Sequence, residues 1–377
     1  MTTCIAVYTS WTTGNDESWR IFDHPEALTG RGTVGRMLES FIKAGVKSPV
    51  ILYPAPTHPA IEKHVQELAK PYDVDVHVFT GEELSGAVRA LKSHGFPDEF
   101  DDVWDIANYG RYRNWKLLYA ALKGYDNVLL IDDDELIEKP GYIRICERDI
   151  GTTVRGTTVL AKTGCYLDEK GNKYYDGQVA AFDRWPKDRL FNEAVKHALD
   201  ASERLSPCEV AFGGNTMINH KMFLAVPYDI NIPRGEDDDF VMNAKHRGYD
   251  VFFDKDMTVR HLPPSRRRLF WTRMRQDINR FKYLREKARI FGRNPKDLNV
   301  FFEYFLQEDL EHKAVSGSLD AAKRYMDADR EEALEFLNNA LVATEPNRDP
   351  LRGLVEKQLR FMDAWAKVLP KVEGLWA

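Results

Sequence analysis

Residues 114–135 read NWKLLYAALKGYDNVLLIDDDE and contain a helix, a turn, a strand and an acidic cluster in succession. Trp115, Leu118 and Leu122 recur at helical spacing, and Gly124 follows at the place where a glycine often ends a helix. The apolar run VLLI that comes next is short enough for a strand buried on both faces. A helix that leads directly into a buried strand is typical of a parallel sheet covered by helices.

The same alternation occurs earlier in the chain. Residues 5–8, 50–53 and 74–79 have the character of strands, and residues 34–44 and 61–68 have helical spacing. Residues 9–32 between the first strand and the first helix look irregular. We therefore predict an α/β fold with a Rossmann-like, mainly parallel sheet flanked by helices. Ligands of such sheets bind at the carboxyl ends of the strands.

Beyond about residue 265 the pattern is helical almost throughout. A basic helical segment covers residues 266–290, and the last clear helix covers residues 351–369 with one apolar stripe. We predict an α/β domain over residues 1–265 and a helical C-terminal extension over residues 266–377.

Composition narrows the class of protein. The chain has 377 residues, 43% of them hydrophobic, and a net charge of −6, so we expect a globular protein without a nucleic-acid partner. Its four cysteines are scattered, which favours reduced thiols over a disulfide framework or a metal cluster. We find neither a signal peptide nor an apolar membrane span, and we therefore expect a cytoplasmic protein.

The acidic cluster consists of Asp132, Asp133 and Asp134, directly after the predicted strand. Three neighbouring carboxylates repel one another unless a cation or hydrogen bonds compensate them. Mg²⁺ prefers carboxylate oxygens and keeps coordination positions open for phosphates. Alternation along an extended chain would put Asp132 and Asp134 on one side, facing a nucleotide and a metal. A solvated acidic turn or a helix cap is the alternative.

A second acidic segment, EDDD at residues 236–239, precedes a helical pattern. The helix dipole favours acidic residues at this place, but four in a row exceed what a cap requires. A carboxylate here could act as a general base. Further on, residues 251–253 read as another strand, and after it His261 lies between an apolar pair and two prolines. It could be a structural histidine, or a neutral metal ligand beside a carboxylate.

Together these segments resemble a GT-A fold glycosyltransferase of the kind grouped around family 2. The helix, strand and acidic cluster are similar to that family's DxD segment. Residues 212–218, FGGNTMI, resemble its acceptor-side segment, where small residues let a sugar approach the backbone. Gly235-Glu236-Asp237 resembles its ED motif, and His261 matches a histidine that completes the metal site. The resemblance covers roughly residues 3–265.

The resemblance implies that a sugar moves from a UDP- or GDP-sugar to an acceptor hydroxyl, with Mn²⁺ or Mg²⁺ as cofactor. The implied base is Asp237, with Glu236 close by. The implied metal ligands are Asp134, His261 and Asp132. The implied donor contacts are Thr9, Ser10, Asp132, Asp133, Gly213, Gly214, Asn215 and Arg266. The acceptor and the oligomeric state stay open.

Two segments depart from the family pattern. The apparent insertion at residues 12–32 makes the nucleobase contacts hard to assign. Residues 276–281 resemble the Q-x-x-R-W segment of processive synthases with Phe281 in place of tryptophan, and could contact the acceptor or only pack as a basic helix. The arginines at 266–268, with Phe270 and Trp271 nearby, could close over the diphosphate or attach weakly to anionic lipid.

Other functions remain open from the sequence. A retaining transferase that makes a small glycosylated solute would use the same metal ligands, and we favour inversion because Glu236-Asp237 stands where a base is expected. A Mg²⁺-dependent nucleotidyltransferase would show a glycine-rich loop, which residues 29–32 faintly resemble. A binding module with the same fold is a further alternative.

Overall fold

The computed structural model describes residues 2–14, 22, 25–173, 184–264, 269–345 and 348–377. Its strands are β1 Thr3–Thr12, β2 Glu26–Ala27, β3 Val50–Ala55, β4 Val76–Val78, β5 Asn127–Asp132, β6 Glu135–Leu136, β7 Thr153–Val154, β8 Thr157–Thr158, β9 Ala161–Leu167, β10 Leu205–Pro207, β11 Thr216–Asn219 and β12 Phe252–His261. Its α-helices are α1 Val34–Ala44, α2 Pro59–Ala69, α3 Gly81–Ser93, α4 Tyr109–Leu122, α5 Tyr142–Glu147, α6 Lys187–Asp200, α7 His220–Phe223, α8 Glu236–His246, α9 Phe270–Ile290, α10 Val300–Phe305, α11 Leu310–Tyr325, α12 Arg330–Thr344 and α13 Arg348–Val372. Short 3₁₀ helices cover Asp98–Trp104 and Pro295–Asp297.

One large sheet contains ten of the twelve described strands, in the order β10-β12-β9-β11-β5-β1-β3-β4, with β2 beside β1 and β6 beside β12, and β7 and β8 form a separate two-stranded sheet. β1 runs parallel to both of its long neighbours, and Val7 aligns with Leu52 on β3 and with Ile131 on β5. β11 is antiparallel to β5 and β9, whereas β9 and β12 are parallel. The predicted α/β class is confirmed, as a mixed sheet of mostly parallel strands between helices.

The central strands are apolar on both faces because helices cover both. In β1, Cys4 and Ala6 point into one buried cluster, while Ile5 and Val7 point into the other. Each fully buried aliphatic side chain of this kind stabilises the fold by about 1.5–3 kcal/mol. The unbroken apolar runs in the sequence therefore follow from a sheet at the centre of two cores.

Helix boundaries follow local signals. The helix predicted over residues 34–44 is α1, Val34–Ala44, and it ends at Gly45, whose φ of 71° is left-handed. α4 starts earlier than the apolar spacing indicates, because the side chain of Asn108 accepts a hydrogen bond from the amide of Arg111 over 2.9 Å. Gly124, just beyond this helix, also has positive φ, at 68°.

Two predicted boundaries are wrong. β1 continues through Thr12, and the short strand β2 pairs with its end. The segment 9–32, predicted to be irregular, therefore contains strand residues near its start and near its end. Residues 15–21 and 23–24 lie outside the described part. The strand expected at residues 251–253 is the start of the longer β12. That strand reaches His261 through a register shift between Phe253 and Thr258, because β9 continues to pair with it beyond the shift.

The last helix, α13, packs against α3 and α4 of the predicted α/β domain. The indole nitrogen of Trp365 on α13 donates to the carbonyl of Phe223 over 2.8 Å, and the amide of Ile230 donates to Gln358 over 3.1 Å. The proposed division near residue 265 stays a prediction. All four cysteines are free and buried. Among the helices that the structure describes, none has the length and apolar character needed to cross a bilayer.

Candidate active site

A cavity of about 260 Å³ lies at the carboxyl edge of the sheet. Its walls include the end of β5 and the residues just after it, the start of α8, and His261 at the end of β12. The structure thus gathers the two acidic segments and the histidine, which are far apart in sequence, around one space. Their chemical roles remain predictions.

Asp133 and Asp134 of the first cluster contact different partners. β5 ends at Asp132, so the strand alternation assumed from the sequence does not continue to Asp134. The carboxylate of Asp133 accepts a hydrogen bond from the hydroxyl of Thr9 over 2.6 Å. Oδ2 of Asp134 lies 3.4 Å from Nε2 of His261. All three aspartates nevertheless line the same cavity.

Strand pairing fixes the contact between Asp134 and His261. β6 follows the acidic turn and pairs with β12, which sets Glu135 opposite His261. The amide of Leu262 donates to the carbonyl of Asp134 over 2.9 Å. The imidazole also stacks on the ring of Tyr166, with centroids 4.7 Å apart. The histidine is therefore held in place by backbone and ring contacts on two sides.

Burial and charge repulsion raise the pKa values of two carboxyl groups in this cluster. Burial, together with the neighbouring charge of Asp134, raises the pKa of Asp133 to about 7, although the hydrogen bond from Thr9 works against this. Burial, with Asp132 and Asp134 nearby, raises the pKa of Glu135 well above its usual range. Oδ1 of Asp132 is buried and finds no hydrogen-bond partner in the described part of the chain. A cation would relieve this repulsion.

The second acidic segment begins α8. Gly235 precedes the helix with a φ of 71°, which favours glycine. Glu236 is 5% exposed, whereas Asp237 is half-buried and borders the cavity. Oδ2 of Asp237 accepts a hydrogen bond from the amide of Gly213 over 3.1 Å. Burial, and then the charge of Glu236, raises the pKa of Asp237, while Arg113 lowers it.

The sequence analysis missed Arg113. This residue of α4 is 4% exposed, and its Nε donates to Oε1 of Glu236 over 2.7 Å. Its Nη1 donates to the carbonyl of Gly213 over 2.9 Å, and its Nη2 lies 3.8 Å from Oδ2 of Asp132. The available signal was a run of polar residues, RYRN, at the start of a helix that otherwise reads as core.

The glycines predicted to admit a sugar also make room for side chains of the protein. A Cβ at Gly213 would lie 2.2 Å from Nη2 of Arg113, and a Cβ at Gly214 would lie 2.1 Å from the carboxylate of Glu135. Asn215 is fully buried, and its side-chain amide donates to the carbonyls of Cys165 and Met257. The side chain of Asn215 therefore holds neighbouring strands together.

The remaining predicted donor contacts are Thr9, Ser10 and Arg266. Ser10 lines the cavity, whereas Thr9 is fully buried behind it, between Asp133 and the indole of Trp11. Arg266 lies outside the described residues. The aromatic rings of Tyr8 and Tyr109 lie 5.7 Å apart beside Ser10 and also border the cavity.

The side chains present fit a divalent metal at the pair Asp134 and His261. A carboxylate oxygen and a neutral imidazole nitrogen suit Mn²⁺, and a carboxylate also suits Mg²⁺. Within the described residues, no three His, Cys, Asp or Glu side chains are gathered so that they alone could hold a metal ion. A metal at this pair would take its remaining ligands from a bound phosphate and from water.

Comparison with solved structures identifies the fold of this chain. No family model matches the sequence, and no curated protein matches it. A mannosyltransferase from Pyrobaculum calidifontis, solved in complex with GDP-mannose and Mn²⁺, is similar over 99% of this chain and 87% of its own, with a TM-score of 0.50. The chain has a GT-A fold. The sequence identity is 12%, so the likeness establishes the fold and not the activity.

Two further solved structures are more distant. A mycobacterial protein is similar over 78% of this chain and 76% of its own, at 13% identity and a TM-score of 0.44. TarS from S. aureus is similar over 98% of this chain, which spans 55% of the TarS chain, at 11% identity and a TM-score of 0.40.

Proposed function

We propose that this protein is a metal-dependent glycosyltransferase that moves a sugar from a nucleoside-diphosphate donor to an acceptor hydroxyl, with inversion. The observation that carries the proposal is the close pair of Asp134 and His261, 3.4 Å apart, in the same cavity as the partly exposed carboxylate of Asp237. A metal-binding pair and a candidate base thus share one space. The mannosyltransferase with the same fold was solved with a nucleotide sugar and a divalent ion.

The donor would lie along the end of β5. Asp134 and His261 would hold Mn²⁺ or Mg²⁺, with Asp132 nearby, and Asp132 would also contact the nucleotide. The bound metal would neutralise the negative charge of the departing diphosphate. Ser10 and the rings of Tyr8 and Tyr109 border the same space and offer an aromatic surface for the nucleobase.

The hydrogen-bonded network around the cavity would position these groups. Thr9 holds Asp133, and the stacked ring of Tyr166 holds His261. Arg113 contacts both Asp132 and Glu236, so a single guanidinium joins the donor side to the segment that carries the candidate base. Rigid support of this kind keeps reacting groups within productive distance.

Asp237 would accept the proton of the attacking acceptor hydroxyl at its carboxylate. Its immediate neighbour Glu236 is committed to the ion pair with Arg113, which leaves Asp237 as the better placed of the two carboxylates. The raised pKa of Asp237 suits the role of a base, since it makes proton uptake more favourable.

A donor screen tests the proposal. The purified protein would be incubated with UDP-, GDP-, dTDP- and CDP-sugars, with water taking the place of the unidentified acceptor, and the resulting release of nucleoside diphosphate would be followed with Mn²⁺, with Mg²⁺ and with EDTA. We expect release from one donor class, dependent on metal and lost in Asp134→Ala. Release that continues at full rate in EDTA would contradict the metal-dependent mechanism.

A further inference from the structure

Four basic side chains line the part of the cavity that faces the helices. We name them the basic wall: Lys187 at the start of α6, Arg234 just before α8, and Arg273 and Arg280 on α9. The sequence analysis assigned a role only to the segment that contains Arg280. Three residues separate Gln276 from Arg280, one more than in the Q-x-x-R-W pattern.

Three members of the basic wall act on one buried carboxylate, Asp277, which is 2% exposed. Its Oδ2 lies 3.1 Å from Nζ of Lys187, and its Oδ1 lies 3.6 Å from Nη1 of Arg280. Burial alone would raise the pKa of Asp277, but Lys187, Arg280 and Arg234 together lower it. Several cations thus share this carboxylate. Asp188 and Asp238 line the cavity, so the four cations exceed these three carboxylates by one positive charge.

Arg280 makes long contacts with its two carboxylate neighbours, Asp238 and Asp277. The residue is 3% exposed, and its guanidinium packs over the rings of Phe281 and Phe301 at 4.8 and 5.5 Å. Its Nη2 lies 3.4 Å from Oδ2 of Asp238, and its Nε has no hydrogen-bond partner among the described residues. A buried cationic donor without a partner costs free energy, which a bound anion would recover.

The donor-side residues and the basic wall contact different neighbours of Asp237. Arg113, which contacts the donor-side residue Asp132, pairs with Glu236 immediately before Asp237. Arg280 contacts Asp238 immediately after it. Arg113 on the donor side and Arg280 of the basic wall both lie close enough to Asp237 to lower its pKa, so the candidate base has both groups as neighbours. In an inverting transfer the acceptor hydroxyl attacks the face of the sugar opposite the leaving diphosphate, with the base beside that hydroxyl, and the rest of the acceptor extends away from the diphosphate.

We propose that the basic wall binds an anionic group, a phosphate or a carboxylate, carried by the acceptor. This proposal rests on the proposed function, because it assumes that the donor diphosphate occupies the metal side. Arginine and lysine recognise such groups through charge-assisted hydrogen bonds, and a partly enclosed cavity strengthens them. The acceptor would then be an anionic molecule with its reacting hydroxyl directed at Asp237.

Inorganic phosphate is the probe for this site, and UDP and GDP are the probes for the donor site. Calorimetric titrations with Mg²⁺ present would measure phosphate binding with and without saturating nucleotide, in the wild type, in Arg273→Gln and in Lys187→Gln. Arg189→Gln is the matched control, because Arg189 lies on α6 but pairs with Glu193 at the exposed surface. Two wall variants on different helices guard against a folding defect in one of them.

We expect phosphate to bind together with the nucleotide, and we expect each wall variant to weaken phosphate binding about tenfold or more, as for a lost charge-assisted hydrogen bond. Arg189→Gln should bind phosphate like the wild type, and all variants should keep the wild-type affinity for nucleotide. Phosphate that competes with nucleotide, or wall variants that lose nucleotide affinity, would reassign the basic wall to the donor diphosphate. Equal phosphate affinity in all proteins would also overturn the proposal. If neither of these nucleotides binds, and dTDP and CDP do not bind either, the proposed function fails, while the phosphate titrations still decide whether the wall binds anions.

Discussion

Arg113 and Glu236 form a buried ion pair in which Nε donates to Oε1 over 2.7 Å. The two residues are 4% and 5% exposed and come from α4 and from the first turn of α8. The same guanidinium also bonds the carbonyl of Gly213 and approaches Asp132. This single side chain thereby joins the three segments that the sequence presents separately, and it positions the backbone next to Asp237.

Removal of Arg113 should destabilise the fold. In Arg113→Met, the carboxylate of Glu236 stays buried without its cation, and loss of one partner of a buried pair typically costs about 3–5 kcal/mol. Urea denaturation would measure the free energy of unfolding. The double variant Arg113→Met/Glu236→Gln should lose less than the single variant, because no charge is stranded. If the losses of the two single variants simply add, the two residues are not coupled.

Asp237→Asn separates proton transfer from donor binding. The amide keeps the size of the side chain but cannot accept the proton, and loss of a general base typically slows a reaction by about 10²–10⁴-fold. We expect a fall of that size in kcat, with the affinity for the nucleotide unchanged. The anomeric configuration of the product would be determined in parallel by NMR. Unchanged turnover, or a product with retained configuration, would remove Asp237 from the role of base.

The rate should depend on pH through Asp237. Burial and the adjacent Glu236 raise its pKa, so the carboxylate takes up a proton at a higher pH than the ordinary aspartate value of about 3.9. A protonated carboxyl cannot act as a base. The acidic limb of kcat/KM should therefore lie above this value, with activity lost as the pH falls. The residual activity of Asp237→Asn should lack this limb; if the limb remains there, another group is responsible for it.

Gly214 and Gly353 should respond in opposite ways to the same substitution. A methyl group at Gly214 would lie 2.1 Å from the buried carboxylate of Glu135, so Gly214→Ala should cost about 1–3 kcal/mol through overpacking. Gly353 lies exposed on α13 with no heavy atom within 4 Å of the added Cβ, so Gly353→Ala should stabilise the protein by about 0.5–1 kcal/mol. Thermal denaturation compares the two, and equal effects would contradict the close contact at Gly214.

Much of the fold could be predicted from the sequence, because the signals for helices and strands are local. α1 has the predicted bounds, because an apolar stripe runs along the helix and Gly45 follows its last residue. β5 was predicted from a short apolar run that precedes acidic residues. The pairing of β6 with β12 is not local, and that pairing brings His261 to Asp134. The family resemblance, and not the spacing of residues, supplied this contact.

The interior polar groups escaped prediction for a related reason. Arg113 lies in a helix that is buried almost all round, so no amphipathic pattern distinguishes it. Its partner Glu236 is 123 residues away along the chain. The reason for glycine at 213 and 214 was equally hidden, because it depends on side chains from α4 and β6 that fold against them.

The most direct test of the central claim is the thermal stability of the protein with UDP, GDP, dTDP or CDP, each with and without Mn²⁺. A ligand at a hundredfold excess over its dissociation constant stabilises the native state by about 2.7 kcal/mol. We predict that one nucleotide stabilises the wild type only with Mn²⁺, and that Asp134→Ala and His261→Ala both lose this effect. Asp363→Ala, which alters a surface carboxylate paired with Arg247, should retain it. Stabilisation without metal, or an undiminished effect in Asp134→Ala, would contradict a metal-dependent donor site at this pair.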